Sequence, residues 1–368
     1  MWGLGLLVAL AVVSPPQEEI LRRIAEAVHE NHVRRPPQRD VLALSLDQVD
    51  AYLKRLDPHS AYLSADEYLR QKDAERNGYP GIGVELAMDA RGIVLIPFSN
   101  GPAHRAGVTT RTHLLGVNGT AIAGLDLQQV GHLLTGAEGS PVRLSLAQPD
   151  ALPPHEVVVT REHFRPPSVE VARSHGSPYL NIRRFIAHET TAALRVALRR
   201  GLNGAGPLVL DLRDCTGGDL HESMDAASLF LPSGKLLASI VDGSGTEQRF
   251  YSLPEERVFD RPVLVLVGPS TASAAEVFAF ALRYYREAKL IGQPTYGKCS
   301  SQTYVELPDG SALRLTNRRI VYPNGESCAG KGLAPDLMVP ESEIYDTDRL
   351  IERGMSLVGN RRQGLAPQ

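Results

Sequence analysis

Two stretches constrain the fold more than any others. Pro207-Leu208-Val209-Leu210-Asp211-Leu212 and Pro262-Val263-Leu264-Val265-Leu266-Val267 are nearly continuous apolar runs of strand length. Strands with one wet face alternate apolar and polar residues, whereas continuous runs suit strands buried on both faces in a parallel sheet. The second run leads into a helical stretch from about Ser273 to Arg286 and then into Lys289-Leu290-Ile291. Strand, helix and strand in that order predict a βαβ unit. Val277 to Leu282 is apolar all round, which predicts a helix with no wet face. Thr190 to Leu202 reads as an amphipathic helix of the same layer.

The chain ahead of this region has a different texture. Glu18 to His29 and Val41 to Leu56 carry apolar residues at the spacing of one helix face. The break Leu56-Asp57-Pro58-His59-Ser60-Ala61-Tyr62-Leu63 follows, and Ser64-Ala65-Asp66-Glu67 reads as a capping box. From about residue 79 to 162, short apolar runs alternate with glycines: Gly81-Ile82-Gly83-Val84-Glu85-Leu86, Gly92-Ile93-Val94-Leu95-Ile96, His113 to Val117 and Val142 to Leu146. An Asn118-Gly119 turn and a helical stretch from Gln128 to Leu134 complete a small β-rich domain.

Composition excludes some classes of function. The formal net charge of −3 gives no electrostatic reason to expect nucleic acid or an anionic membrane as partner. Of 39 basic residues only six are lysines, so Arg is the default surface cation. Lys, unlike Arg, can give up its proton when buried, so each Lys carries some information here. Cys215, Cys299 and Cys328 are too few for a disulfide-built fold, and one pair plus a free thiol is compatible with an oxidising compartment. No Cys/His spacing suggests a metal site. The apolar run Trp2 to Val13 is too short to span a bilayer and fits the core of a signal peptide or an anchor.

Three segments carry candidate chemistry. Ser273 opens the buried helix just past a parallel strand, where a helix N-terminus offers N–H groups to a developing oxyanion. The same segment is also an ordinary helix start: Ser270, Thr271 or Ser273 can be the N-cap, and Ser273-x-x-Glu276 fits a capping box. Asp211-Leu212-Arg213-Asp214-Cys215-Thr216-Gly217-Gly218-Asp219 follows the other buried strand, with paired glycines able to present backbone N–H groups. Lys298 lies in the loop Thr295-Tyr296-Gly297-Lys298-Cys299-Ser300-Ser301-Gln302, where burial would make it a base and Gln302 would orient its amine.

Taken together, these segments resemble the carboxyl-terminal processing, or tail-specific, protease family. Ser-Thr-Ala-Ser273-Ala-Ala-Glu276 is similar to the family's nucleophile segment, and Tyr296-Gly297-Lys298-Cys299-Ser300-Ser301-Gln302 to its base segment. The Ser-to-Lys separation of 25 and the Lys-to-Gln separation of four agree with it. Leu212 to Gly218, Leu56 to Leu63, Asp309 to Leu313 and Gly330 to Asp336 resemble its flanking motifs. The resemblance implies an α/β, crotonase-like protease core with an inserted PDZ domain and a helical leader. The expected boundaries are signal peptide or anchor 1–16, helical region 17–76, PDZ domain 77–163, protease core 164–345, and C-terminal helix and tail 346–368.

It further implies a serine endopeptidase with Ser273 as nucleophile, Lys298 as base and Gln302 beside it. Gly217, Gly218 and Ala274 are the expected oxyanion hole, and Gly81, Ile82, Gly83 and Val84 the loop that receives a substrate's C-terminal carboxylate. Substrates are expected to be proteins with apolar C-terminal tails, with no metal or organic cofactor, acting outside the cytoplasm in the periplasm or at the membrane. The sequence departs from the pattern at Cys215-Thr216 (usually Asn-Pro), at Cys299 (usually Gly) and at Thr110-Arg111-Thr112 (usually Pro-Gly-Asp).

Overall fold

The structure is a computed structural model, and it describes residues 17–77, 80–89, 91–110, 112–148, 151–165, 167–174, 176–200, 206–254 and 259–359. The expected signal peptide or anchor, 1–16, and the end of the tail lie outside the described residues. The described residues form two compact units, one within 17–72, 240–247 and 300–320, the other within 73–239, 248–299 and 321–359.

In the first unit, helices Gln17–Asn31, Gln38–Leu42 and Leu46–Leu56 bury Ile20, Ile24, Val28, Val41, Val49 and Leu53 against Leu307, Leu313 and Leu315. The single helix expected over 41–56 is thus two helices. Ser45 interrupts it, and the Gln48 side chain turns back to accept the Ser45 N–H at 3.1 Å. Strands Ser300–Glu306 and Ala312–Val321 form an antiparallel hairpin, with Ala61–Leu63 added along the second strand. Asp57 knots this unit together. Its carboxylate accepts hydrogen bonds from His32 Nε2 at 2.8 Å, Ser60 Oγ at 2.6 Å, Thr316 Oγ1 at 2.7 Å and the N–H groups of His59 and Ser60. These bonds hold the Asp57 carboxyl well below the usual carboxylate range although burial opposes them.

The second unit holds two larger sheets. One is antiparallel, in the order Val84–Asp89, Gly92–Pro97, Thr112–Val117, Pro141–Gln148, Ala151–Thr160. Its core is built on Ile93, Leu95, Val130, Leu144 and Leu146. Asn118 (φ +50°) and Gly119 (φ +79°) make the two-residue turn that the dipeptide predicts. The run Gly81 to Leu86 is not one strand: Pro80–Gly81 pairs with Glu162–His163, and the chain kinks at Gly83 (φ +66°) before Val84–Asp89 begins.

The other sheet runs in the order Val169–Ser174, Ser177–Ile182, Leu208–Asp211, Val263–Val267, Lys289–Gly292, Leu337–Met338. Its first pair is antiparallel and all later pairs are parallel. Every residue of Leu208–Asp211 and Val263–Val267 is buried, which is why these runs contain no alternation. Helices Thr190–Arg199, Leu220–Ser228, Ala274–Arg286 and Thr347–Gly359 complete a mixed α/β layer structure. Among the described residues no helix is long and apolar enough to cross a membrane.

Candidate active site

Ser273 is the N-cap of helix Ala274–Arg286 and has φ +57° and ψ −121°. A residue with a Cβ seldom adopts this backbone, and such strain persists only where neighbours over-determine it. The over-determination is visible. Ala272 N–H donates to Cys215 O at 3.1 Å, and Thr271 Oγ1 donates to Leu212 O at 2.7 Å while accepting Gly268 N–H at 2.9 Å. Thus the turn carrying Ser273 is tied to the loop that follows Leu208–Asp211.

Gly217 lies directly against this turn. A Cβ on it would meet Ala272 O at 2.7 Å, Ser273 Cβ at 3.0 Å and Ala274 N at 3.1 Å, and its φ of +103° is one that glycine alone adopts easily. Gly218 approaches Phe185 as closely, where a Cβ would lie 2.2 Å from Phe185 O. Phe185 N–H donates to Gly217 O and Phe185 O accepts Asp219 N–H, so the paired glycines are pinned to the end of Ser177–Ile182. For Gly218 and Ala274, the N–H groups meet no acceptor among the described residues. Burial pushes the Cys215 thiol up to about 12, which removes it as a nucleophile.

The link between nucleophile and base is Glu276, which the Ser273-x-x-Glu276 spacing marks only as a helix cap. Its side chain is fully buried. Oε2 accepts Ser273 N–H at 2.8 Å and Lys298 N–H at 2.9 Å. Oε1 accepts Gly297 N–H at 2.8 Å and the Thr295 hydroxyl. One carboxylate therefore fixes the backbone of both candidate catalytic residues. Burial raises the Glu276 carboxyl above the usual carboxylate range, while the four donors pull it down.

Lys298 is half-buried, with the exposed Tyr296 ring two residues before it. Cys299 and Cys328 form a disulfide, leaving Cys215 as the free thiol. Gln302 lies in the other unit, beside a bulge in the hairpin, where its amide donates to Ser300 Oγ at 3.1 Å and Thr316 Oγ1 at 3.3 Å. Among the described residues no cluster of His, Cys, Asp or Glu is placed to hold a metal ion.

The Gly81 to Val84 loop sits at one end of the antiparallel sheet. Ile82 O accepts Ala103 N–H at 2.8 Å and Gly83 O accepts Phe98 N–H at 3.0 Å. Val84–Asp89 is an edge strand, and helix Leu127–Leu134 lies against it. Arg183 stands between this loop and the glycine loop. Its guanidinium lies 5.7 Å from the Phe98 ring centre, 3.3 Å from Glu170 Oε2 and 4.0 Å from Asp214 Oδ2. Burial, with the Asp214 charge behind it, pushes the Glu85 carboxyl up to about 8 against the pull of Arg183 and Arg184. Asp211 and Arg213 form a buried ion pair that anchors the glycine loop's start. Arg213 also donates to Ile344 O at 2.6 Å and Thr347 Oγ1 at 2.8 Å.

Residues 177–339 match the sequence model of peptidase family S41. The chain is similar to proteins described as carboxy-terminal-processing proteases. It is 28% identical over 325 residues to a carboxy-terminal-processing protease of Bartonella bacilliformis, covering 86% of this chain and 74% of the relative. It is 32% identical over 302 residues to a probable CtpA-like serine protease of Staphylococcus aureus, covering 80% and 60%. The chain thus spans about 60% of the length of the staphylococcal relatives it matches. Among solved structures, the photosystem II D1 C-terminal processing protease superposes with a TM-score of 0.68 at 25% identity, covering 93% of this chain and 98% of that one.

Proposed function

We propose that this chain is a serine endopeptidase that cleaves proteins near exposed apolar C-terminal tails. Ser273 attacks the peptide carbonyl and neutral Lys298 takes its proton. The N–H groups of Ala274 and of Gly218 or Gly217 receive the oxyanion, and removal of one such donor costs about a hundred- to thousandfold in other enzymes. The amine leaves with a proton returned by Lys298, and water then hydrolyses the acyl-enzyme with Lys298 again as base.

The observation that carries this reading is the grip of the Glu276 carboxylate on both Ser273 and Lys298, at 2.8 and 2.9 Å. A helix cap alone needs only the first of those bonds. The strained Ser273 backbone and the close approach of Gly217 support the same assignment.

The antiparallel sheet, read as a PDZ domain inserted before a crotonase-like core with a helical leader ahead of it, takes the substrate's terminus in the Gly81 to Val84 loop. The peptide adds as a strand along Val84–Asp89. The open edge of that strand supports this mode. Export to the periplasm is supported by the disulfide, which persists in an oxidising compartment.

Digestion of an unstructured protein with an apolar C-terminal tail, read by mass spectrometry, tests the reading. Cleavage is expected from the wild type and from neither Ser273→Ala nor Lys298→Ala. Cleavage surviving in either variant refutes the dyad, and tail binding without cleavage by the folded wild type would indicate a peptide-binding scaffold.

A further inference from the structure

The disulfide stands beside the candidate base. Cys299 follows Lys298 in the chain and is bonded to Cys328, 29 residues on. Both residues are buried. The backbone on the other side of Lys298 is held by hydrogen bonds. Gly297 O accepts Gly330 N–H at 2.9 Å, Thr295 N–H donates to Leu333 O at 3.2 Å, and Leu333 N–H donates to Thr295 Oγ1 at 2.7 Å. Gly297 (φ +88°) fits so closely that a Cβ there would lie 2.8 Å from Gly332 N and 3.0 Å from Cys328 O. Tyr322, stacked on Phe280 of the nucleophile's helix, brings its hydroxyl to 3.5 Å from Cys299 Sγ.

Lys298 is therefore held differently on its two sides. Upstream, Glu276 and the segment 328–333 fix Thr295, Gly297 and the Lys298 N–H. Downstream, the chain leaves this unit after Cys299 and rejoins it at Val321. The covalent bond from Cys299 to Cys328 closes that excursion within the unit, at the residue next to the base.

We propose that Cys299 and Cys328 are a positioning pair for Lys298: their disulfide holds the backbone that aims the base, so turnover depends on the oxidation state of the pair. This rests on the Ser–Lys reading above. With the bond open, Cys299 loses its covalent tie to Cys328, the first downstream anchor of the Lys298 backbone before the ladder that begins at Ser300, and the amine reaches water more freely. The productive geometry is then less populated, so kcat falls while KM, set where the peptide binds, stays. A better hydrated amine also holds its proton more strongly, so the ascending limb of the pH–kcat profile, along which the base loses its proton, moves to higher pH.

The test compares oxidised wild type with the same protein reduced by dithiothreitol. Reduction breaks the S–S bond with two electrons and two protons. Dithiothreitol becomes its cyclic disulfide and the two cysteines become thiols. A thiol count after denaturation should rise from one to three. The expected result is a fall in kcat of about tenfold, equivalent to one 1.4 kcal/mol step in the barrier. KM should stay within a factor of about two, the ascending limb should move to higher pH, and the changes should be reversed by reoxidation.

Equal kcat and equal pH midpoints in the two states overturn the proposal, as does a lower melting temperature with unchanged kinetics. If reduction unfolds the chain, the variant carrying both Cys299→Ala and Cys328→Ala replaces it, assayed below its own melting transition, with the same two readings deciding. Ser273→Ala run in parallel separates the hypotheses. Cleavage by that variant refutes the Ser–Lys reading itself, whereas a silent variant beside redox-independent wild type refutes only the positioning pair.

Discussion

Glu276 Oε2 lies 2.9 Å from the backbone nitrogen of Lys298, 22 positions along the chain, and 2.8 Å from that of Ser273. A carboxylate is well suited to this place because each oxygen accepts two donors. Glutamine has the same shape but offers only one accepting oxygen, so two of the four donors would face an NH2 group. Glu276→Gln is therefore expected to lower stability by about 1–3 kcal/mol, the cost of leaving buried donors unpaired. It should also lower kcat by about tenfold or more through misplacement of both backbones. Denaturant melts and steady-state kinetics check the two effects separately.

Gly217→Ala should abolish turnover while leaving much of the fold. The added Cβ would sit 2.7 Å from Ala272 O and 3.0 Å from Ser273 Cβ, so the turn that carries the nucleophile must shift. Gly218→Ala presses harder still on backbone, 2.2 Å from Phe185 O, and is expected to be the more destabilising of the two. Thermal melts alongside peptidase assays distinguish a displaced nucleophile from a weakened sheet end.

The glycine loop starts at a buried ion pair, and breaking one partner of such a pair costs about 3–5 kcal/mol. Arg213→Met leaves the Asp211 carboxylate buried with only the Tyr179 hydroxyl and backbone around it. The variant is expected to melt far below the wild type. A melting temperature within a few degrees of wild type would show that the pair contributes little.

Glu85 gives a pH dependence of stability with a defined sign. Its folded carboxyl is pushed up to about 8, whereas an unfolded glutamate titrates near its ordinary value of about 4.3. Below the unfolded value both states are protonated, and the half-buried neutral acid is favourable. As pH rises towards 8 the unfolded chain ionises and the folded site resists, so this contribution is lost. Glu85→Gln removes the titration. The variant should gain on the wild type in melting temperature between pH 5 and pH 8, and parallel curves over that range would contradict the assignment.

Much of this was legible along the chain. The continuous runs Leu208–Asp211 and Val263–Val267 require burial on both faces, and that leads directly to a parallel sheet with helices. Asn118-Gly119 has essentially one good use between two strands. Ser273 and Lys298 stand out along the chain because their spacing and neighbours resemble a known pattern, whereas local propensity treats the first as a cap and the second as a loop cation. Local signals also misled. The apolar periodicity from Val41 to Leu56 runs through a break after Leu42, and a new helix starts after Ser45, whose N–H the Gln48 side chain accepts.

The sequence by itself determined which segments are strands and helices, because apolar period and turn chemistry are properties of neighbouring residues. Only the tertiary structure decided what Glu276 does, since three of its four donors come from residues about twenty positions away. The same holds for the cysteines. Three thiols can pair in three ways, and the choice of Cys299 with Cys328 follows from the fold bringing 295–299 against 328–333 while burying Cys215 under the paired glycines. Chain order carries no distance information over such separations; packing does.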